Sequence, residues 1–405
     1  MNNILKDPIY NSDKPVRSTM LQYGKQTIEQ CDKDAVLSVL DENNLLTTGP
    51  KVVEFECKCK EFCGAKHALA VNSATAALHC AIACLNLSST DEVIVSGISF
   101  VASANCVVYC GAQPIFCDVE EDTMNIDCNK LESLITLNTK AIIAVDFAGQ
   151  LCDYETLIKI CNKYKLVLIQ DAAHSWGIQY NNRYVGNIAD ITILSFHPVK
   201  NMTTCEGGMI LTNNEIFYNT MKTFRQHGID IDYNERNKTN ILSALMTTLG
   251  YNYRIPDLLC ALGISQLNRL NNWVIRRNEI ANKYIYEINN FNSEINTKII
   301  NYLTIKFPCA YHLFVIKLIL NEIKCDRYTI FKALKTENIG VNIHYLPIHL
   351  HPFYQEKYNT KKGQLPIAEK VYDIIISLPI FPTMTNEDIN DVIMAIKKVC
   401  LFFKK

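Results

Sequence analysis

The feature that most constrains the fold is an alternation of short apolar runs with helical patterns between residues 65 and 212. Several runs are continuously apolar, as expected for strands that are buried on both faces of a sheet. Alternating strands and helices predict a mostly parallel sheet with helices on both sides. The predicted strands cover residues 67–71, 92–95, 114–119, 141–145, 166–170, 190–195 and 208–212.

The chain is long enough, at 405 residues, for more than one domain. A polar stretch near 289–297 predicts a large domain over 1–295 and a smaller α/β domain over 296–405. In the first domain, helical patterns cover 27–40, 51–62, 74–84, 100–110, 154–164 and most of 256–291. In the second, the patterns predict a strand over 312–320 and helices over 327–336, 365–376 and 386–402.

Charge and cysteine content narrow the functional classes. The net charge of −1 argues against a role based on nucleic-acid or membrane-surface binding. Seventeen scattered cysteines without a C-x-x-C spacing are typical of free thiols in a reducing compartment. Residues 1–8 lack the apolar core of a signal sequence, and no apolar stretch is long enough to span a bilayer. We therefore expect a cytoplasmic protein.

Two groups of residues suggest a metal site, and we expect neither to bind one. Among Cys57, Cys59 and Cys63, only the last two share a helix face, and buried thiols acting as small apolar side chains explain them equally well. The segment 344–352 contains three histidines, but it has no acidic or cysteine ligand nearby, and its prolines interrupt regular spacing.

A carboxylate and an amine follow two of the predicted strands. Asp171 comes directly after the strand 166–170, and Lys200 lies five residues beyond the strand that ends at Ser195. Sheets of this kind bind ligands at the carboxyl ends of their strands. Alone, Asp171 is equally well explained as a helix N-cap and Lys200 as a surface lysine. Together they predict a pyridoxal phosphate enzyme, with Lys200 as the Schiff-base lysine and proton shuttle and Asp171 as the partner of the pyridine nitrogen.

Further residues suit the rest of that cofactor. Ser73, Ala74 and Thr75 stand between a strand and a helix, where backbone N–H groups can bind a phosphate. A plain N-cap is the alternative explanation. Ser195 is a further candidate phosphate donor. Phe100 is a candidate for stacking on the ring and His174 for contacting its phenolic oxygen, although core packing is the more common role of an isolated Phe or His.

Taken together, these motifs resemble the DegT/DnrJ/EryC1/StrS aminotransferases. The similarity runs from about residue 24 to the carboxyl terminus and includes the segments 46–52, 72–78, 91–95, 99–105, 111–116, 171–175, 195–200, 206–208, 252–254 and 378–379. The resemblance implies the aspartate aminotransferase fold (fold type I), a mostly parallel seven-stranded sheet with a smaller second domain. It also implies pyridoxal 5'-phosphate as cofactor, with pyridoxamine phosphate as the intermediate of a ping-pong reaction.

The resemblance further implies a homodimer with shared active sites, in which the loop carrying Asn252 reaches the cofactor phosphate of the partner. L-glutamate is the expected amino donor. The segments 145–149 and 341–354 are most similar to the branch that acts on UDP-4-keto-6-deoxy-N-acetylhexosamines in pseudaminic acid synthesis. In this interpretation, Asp146, His344, Tyr345 and His349 bind the nucleotide sugar.

Several alternatives remain open at this stage. The substrate could be a dTDP- or GDP-linked 4-keto-6-deoxy sugar of the viosamine or perosamine type. A sugar dehydratase and a regulatory protein that binds the cofactor are further alternatives. Relatives with histidine in place of Lys200 perform dehydration, so the lysine favours transamination. One departure concerns Cys205, which stands where the family often has glycine, and which is strained there if that position needs a positive φ.

Overall fold

The computed structural model describes Tyr10, Ser12 and residues 14–41, 45–230 and 243–405. The amino-terminal residues 1–8, in which we expect no signal sequence, lie outside this set.

The predicted seven-stranded sheet is present. Its strands are β1 (His67–Val71), β2 (Glu92–Ser96), β3 (Gln113–Cys117), β4 (Thr139–Val145), β5 (Val167–Asp171), β8 (Ile191–Ser195) and β9 (Gly208–Thr212), and a small hairpin, β6 (Gln179–Tyr180) and β7 (Arg183–Tyr184), lies between β5 and β8. The strand order is β1-β9-β8-β5-β4-β2-β3. Only β9 runs antiparallel to its neighbours, so the mostly parallel sheet is confirmed.

Both faces of this sheet are buried, which explains the continuous apolar runs. Alternate residues of one strand enter different cores: Ala68 and Ala70 belong to one hydrophobic cluster, and Leu69 and Val71 belong to the other. The helices that accompany the sheet are α1 (Gln30–Asp41), α2 (Pro50–Cys63), α3 (Ala74–Ala83), α4 (Ala102–Tyr109), α5 (Cys128–Leu134), α6 (Tyr154–Tyr164), α7 (Glu215–Arg225), α8 (Asp257–Leu267) and α9 (Leu270–Glu294).

The carboxyl-terminal part contains a separate antiparallel sheet in the order β10-β11-β12, formed by β10 (Ile300–Tyr302), β11 (Phe314–Leu318) and β12 (Ile375–Leu378). Its helices are α10 (Arg327–Thr336), α11 (Pro352–Tyr358), α12 (Pro366–Tyr372) and α13 (Asn386–Phe403). The helix α9 contributes to two cores, with Trp273 in that of the large sheet and Ile288 in that of the small one. The division at residue 295 stays a prediction.

One predicted element was wrong. The expected helix over 365–376 ends at Tyr372, and the chain then enters β12, in which Ile376 pairs with Ile316 of β11. The cause is a run of β-branched residues, Ile374 to Ile376, which fits a buried strand better than a helix.

In the described residues, no helix is both long and apolar enough to cross a membrane.

Candidate active site

The carboxyl edge of the large sheet brings together the two residues that the sequence singled out. Asp171 is the last residue of β5, and Lys200 lies in the loop that joins β8 to β9. Because β5 and β8 are adjacent and parallel, both residues reach the same edge. They line one cavity of about 550 Å³. This volume is within the range of small-molecule sites.

Most of the predicted site residues share that cavity. Besides Lys200 and Asp171, its walls include Ser73, Ala74, Thr75, Phe100, His174, Ser195, His344 and Tyr345. These side chains come from the carboxyl ends of β1, β2, β5 and β8 or the loops after them, and from the segment between α10 and α11. The cavity therefore lies between the large sheet and the carboxyl-terminal part of the chain.

Asp171 is held in place by two donors. The hydroxyl of Ser103 donates to Oδ2 at 2.7 Å, and the backbone N–H of Ala173 donates to Oδ1 at 3.2 Å. Burial raises the pKa of the Asp171 carboxyl, while these two hydrogen bonds and the nearby Lys200 oppose the shift. A cationic ligand group beside this buried carboxylate would stabilise its charged form.

Burial has the opposite effect on the amine. It lowers the pKa of Lys200 to about 8, and the charge of Asp171 limits the shift. A larger fraction of the amine is therefore neutral near pH 8 than for an exposed lysine. A neutral amine is the form that attacks a carbonyl group.

The turn before α3 forms an anion cradle. Ser73 is the N-cap, and its hydroxyl accepts a hydrogen bond of 3.1 Å from the N–H of Ala76. The N–H groups at the start of a helix are oriented to bind anions, and Ala74 and Thr75 line the cavity at this point. Strand β9 approaches this turn so closely that a Cβ on Gly208 would lie 2.7 Å from the carbonyl of Ser73. Glycine is therefore required beside the cradle.

Three buried histidines are close enough to Lys200 to feel its charge, and they stay neutral. Burial, together with the charge of Lys200, holds the pKa of His174 and His312 well below the usual range and lowers that of His344 to about 3. The rings of His174 and His312 lie 4.3 Å apart, and Nε2 of His174 is 3.4 Å from the hydroxyl of Tyr345. Nδ1 of His174 is buried and has no hydrogen-bond partner among the described residues.

The wall opposite the sheet comes from two distant segments. Tyr23 lies before α1, and the run from Asn342 to Tyr345 precedes β12; both line the cavity. His344 is fixed there by a hydrogen bond of 2.8 Å between its Nδ1 and the hydroxyl of Ser377.

Phe100 is 58% exposed and lies just before α4, so the expectation that it begins this helix was wrong by two residues.

Two predicted substrate residues do not reach the cavity, and this part of the prediction is corrected. Asp146 is completely buried and accepts hydrogen bonds from Gln170 and Tyr154 at 2.7 Å each, from Ser175 at 2.5 Å and from the backbone N–H of Cys152 at 3.1 Å. Its carboxylate is thus used within the protein.

His349 is also completely buried, and its Nε2 lies 2.8 Å from Oε1 of Glu369. It faces α12 instead of the cavity. Asn252 lies on an exposed loop outside the lining of its own cavity. The proposed contact of Asn252 with a partner's cofactor stays a prediction.

Residues that the sequence interpretation did not assign also line the cavity. Ser103 lies within the segment 99–105 that carried the resemblance, so its motif was recognised although its role was not. Tyr23 and Glu206 line the cavity, and His312 packs on His174. No local pattern marks Tyr23 or His312, since each is brought to the site only by the packing of distant segments.

Cys205 adopts φ 66°, in the left-handed region that favours glycine, and this confirms the expected strain. Its N–H donates to the hydroxyl of Thr203 at 2.9 Å, which holds the turn after Lys200.

In the described ranges, no three His, Cys, Asp or Glu side chains are grouped so that they could hold a metal ion.

Comparison with known proteins identifies the family. The model of the DegT/DnrJ/EryC1/StrS aminotransferase family matches residues 26–397. The chain belongs to this family. It is 36% identical over 374 residues, 91% of this chain and 94% of the relative, to a UDP-4-amino-4,6-dideoxy-N-acetyl-beta-L-altrosamine transaminase of Campylobacter jejuni.

Solved structures agree with this assignment. Helicobacter pylori PseC, an aminotransferase involved in the biosynthesis of pseudoaminic acid, has a TM-score of 0.86 and 32% identity and covers 95% of this chain and 100% of its own. The PLP form of the putative sugar aminotransferase Spr1654 from Streptococcus pneumoniae has a TM-score of 0.85 at 27% identity, covering 95% and 99%. The chain is therefore an aminotransferase of fold type I that uses pyridoxal phosphate.

The residues of the cavity fit that cofactor. Lys200 would hold its aldehyde carbon, Asp171 its ring nitrogen, and the N–H groups at the start of α3 its phosphate. His174 lines the same cavity, and its Nδ1 has no hydrogen-bond partner among the described residues. A cationic nitrogen beside Asp171 would compensate the carboxylate charge that burial disfavours.

Proposed function

We propose that this aminotransferase moves the amino group of L-glutamate to the 4-keto carbon of a nucleotide-linked 4-keto-6-deoxy sugar. The proposed substrate is UDP-4-keto-6-deoxy-N-acetylhexosamine, and the reaction is a ping-pong exchange. The observation that carries the proposal is the shared cavity of Lys200 and Asp171, with an anion cradle at the start of α3.

When bound, pyridoxal phosphate supplies an electron sink for the reacting substrate carbon. Lys200 is the group that takes up and returns the proton at that carbon. Its lowered pKa suits it to both directions near neutral pH, because the amine and the ammonium forms are then both populated. The carboxylate of Asp171 keeps a proton on the ring nitrogen, and Ser103 keeps the carboxylate in position.

The sugar substrate is supported by the relatives' names and by the opposite wall. The transaminase of Campylobacter jejuni is named for a UDP-linked 4-amino-4,6-dideoxy sugar, and PseC for pseudoaminic acid biosynthesis. Tyr23, Asn342 and Tyr345 add aromatic and amide groups to the cavity. Such groups suit a sugar ring and its N-acetyl substituent. His344 and Tyr345 stay the proposed sugar contacts.

A homodimer is part of the proposal. Several large apolar side chains are exposed near the loop of Asn252 and near α2, as expected for a surface that another protein covers. They are Leu45, Leu46, Val53, Leu245, Met246 and Leu249. The proposal joins two copies through this surface, so that Asn252 of each copy completes the cofactor site of the other.

The proposal is tested in two half-reactions with purified enzyme. Glutamate alone should release one 2-oxoglutarate per active site, and added keto-sugar should yield amino-sugar in equal amount. Lys200→Ala should lose both half-reactions, whereas Lys140→Ala, which changes an exposed lysine of the surface, should keep them. Full glutamate half-reaction activity in Lys200→Ala would overturn the proposal.

The nucleotide and the sugar are tested separately. A panel of UDP-, dTDP- and GDP-linked 4-keto-6-deoxy sugars is compared by kcat/KM, and product configuration is assigned by NMR. The highest value is expected for the UDP-linked N-acetylhexosamine. A dTDP- or GDP-linked sugar with a higher kcat/KM would overturn the substrate assignment and leave the aminotransferase itself intact.

A further inference from the structure

The loop that carries Asn252 is fastened to the residue that precedes the anion cradle. The backbone N–H of Asn72 donates to the carbonyl of Tyr253 at 2.9 Å, and its side-chain amide donates to the carbonyl of Asn252 at 3.4 Å. Asn72 directly precedes Ser73, the N-cap of α3. The same short segment thus holds the loop and shapes the cradle of its own cavity.

Helix α3 holds the loop at a second point, through a buried histidine. His79 is 4% exposed, and its Nδ1 shares a hydrogen bond of 2.9 Å with the hydroxyl of Tyr253. The rings of Tyr109, Phe224 and Tyr251 lie within 5.3 Å of the His79 ring. This aromatic packing leaves the imidazole little freedom to turn away from Tyr253.

A third connection leads back to the sheet. The N–H of Tyr253 donates to the carbonyl of Arg225 at 2.9 Å, and the guanidinium of Arg225 donates to the carbonyl of Ala70 in β1 at 2.7 Å. Tyr253 is therefore fixed by its N–H, its carbonyl and its hydroxyl. Asn252, by contrast, has an exposed side chain that does not line its own cavity.

We propose that Asn72 and His79 are positioning residues that act across the dimer: by fixing Tyr253, they present Asn252 to the cofactor of the partner subunit. Helix α3 then serves two sites, because its amino terminus forms the cradle of its own cavity while His79 supports the loop that completes the other. This inference rests on the shared active sites of the proposed function. It adds the residues that hold the loop of Asn252 in place for the partner's site.

Mixed dimers of two differently tagged chains test the proposal. One chain carries Lys200→Ala, so that the only working site uses Lys200 of the other chain. Tyr253→Phe is then placed on either chain, and the Kd for pyridoxal phosphate at the working site is measured from its absorbance, together with kcat at saturating cofactor.

On the Lys200→Ala chain, Tyr253→Phe should weaken cofactor binding at the working site about fivefold, as expected for the loss of one partly buried hydrogen bond. On the Lys200-intact chain it should have a clearly smaller effect. Tyr251→Phe is the matched control. It stacks on Tyr253 in the same loop, but its hydroxyl has no hydrogen-bond partner in the described part of the chain.

His79 is tested in the same way. On the Lys200→Ala chain, His79→Leu should weaken binding as Tyr253→Phe does, and His79→Asn should restore most of it, because asparagine keeps a polar group near the position of Nδ1. Thermal unfolding is recorded for every dimer. A purely structural role would lower Tm and cofactor affinity equally for both placements.

Asn252→Ala in both placements separates the two proposals. If it acts only from the Lys200-intact chain, the shared site and the positioning role are both overturned. If it acts from the Lys200→Ala chain while Tyr253→Phe has no effect, or an equal effect in both placements, the positioning role alone is overturned.

Discussion

Two buried aspartates lie at the carboxyl ends of the adjacent strands β4 and β5, and only one of them lines the cavity. Asp146 comes after β4, Asp171 ends β5, and the N–H of Asp146 donates to the carbonyl of Asp171 at 3.1 Å. Asp146 accepts four hydrogen bonds within the protein, whereas Asp171 accepts two and lines the cavity. The difference lies in how much of each carboxylate the protein itself satisfies.

This comparison explains why one aspartate suits a ligand and the other does not. Burial raises the pKa of Asp146 to about 6 in spite of its four donors, and it also raises the pKa of Asp171. Both carboxylates are thus destabilised by burial. Of the two, only Asp171 lines a cavity in which a cationic ligand group can stabilise the charged carboxylate. Lys200 lines the same cavity.

The largest expected effect is that of Asp171→Asn on activity. Removing one partner of a buried charge pair changes free energies by about 3–5 kcal/mol. We therefore expect kcat/KM to fall by about a thousandfold, with the unfolding free energy without cofactor little reduced. Steady-state kinetics and urea unfolding measure the two quantities. An enzyme of normal kcat/KM would show that Asp171 does not hold the cofactor.

Asp146→Ala should have the reverse pattern. Four buried donors would lose their acceptor, so we expect the unfolding free energy to fall by about 2–3 kcal/mol at neutral pH. The folded fraction should keep most of its kcat/KM, because Asp146 does not line the cavity. If activity is lost while stability is kept, the assignment of the two aspartates must be exchanged.

The pH dependence of stability sharpens the assignment of Asp146. Its pKa in the folded protein is raised from 3.8 to about 6, so the folded state binds the proton more tightly than the unfolded state. The resulting stabilisation is complete below about pH 4 and is lost as the pH rises through 6. We expect the stability difference between the wild type and Asp146→Ala to shrink by about 1 kcal/mol from about pH 5 to 7. A difference that grows with pH would contradict the raised pKa.

The smallest effects come from removing one donor from each carboxylate. Ser103→Ala removes a donor to Asp171, and we expect a fall in kcat/KM of about fivefold. Tyr154→Phe removes a donor to Asp146, and we expect a loss of about 1 kcal/mol of unfolding free energy with kcat/KM unchanged. If both variants lowered kcat/KM equally, the proposed difference between Asp171, which serves the cofactor, and Asp146, which serves stability, would be contradicted.

Much of this arrangement was predictable because it is local along the chain. The buried strands were recognised from their continuous apolar runs, and Asp171 and Lys200 from their places after two of those runs. The errors have physical causes. The sequence predicts a helix over 365–376, although Ile375 and Ile376 at its end pair with β11. The sequence resemblance predicts a sugar contact for Asp146, because nothing in the sequence shows that Gln170, Tyr154 and Ser175 converge on its carboxylate.

The sequence by itself determined the class of sheet and the family, and it predicts Lys200 and Asp171 as the cofactor residues, because each of these depends on residue type and on spacing within one segment. Only the tertiary structure decided which polar groups remain available to a ligand. It separated Asp171 from Asp146, brought Tyr23 to the cavity and His312 onto His174, and fastened Tyr253 to His79 across 174 residues of chain. Whether a polar side chain can bind a ligand depends on which hydrogen-bond donors from distant segments pack against it. The fold as a whole decides which donors do so.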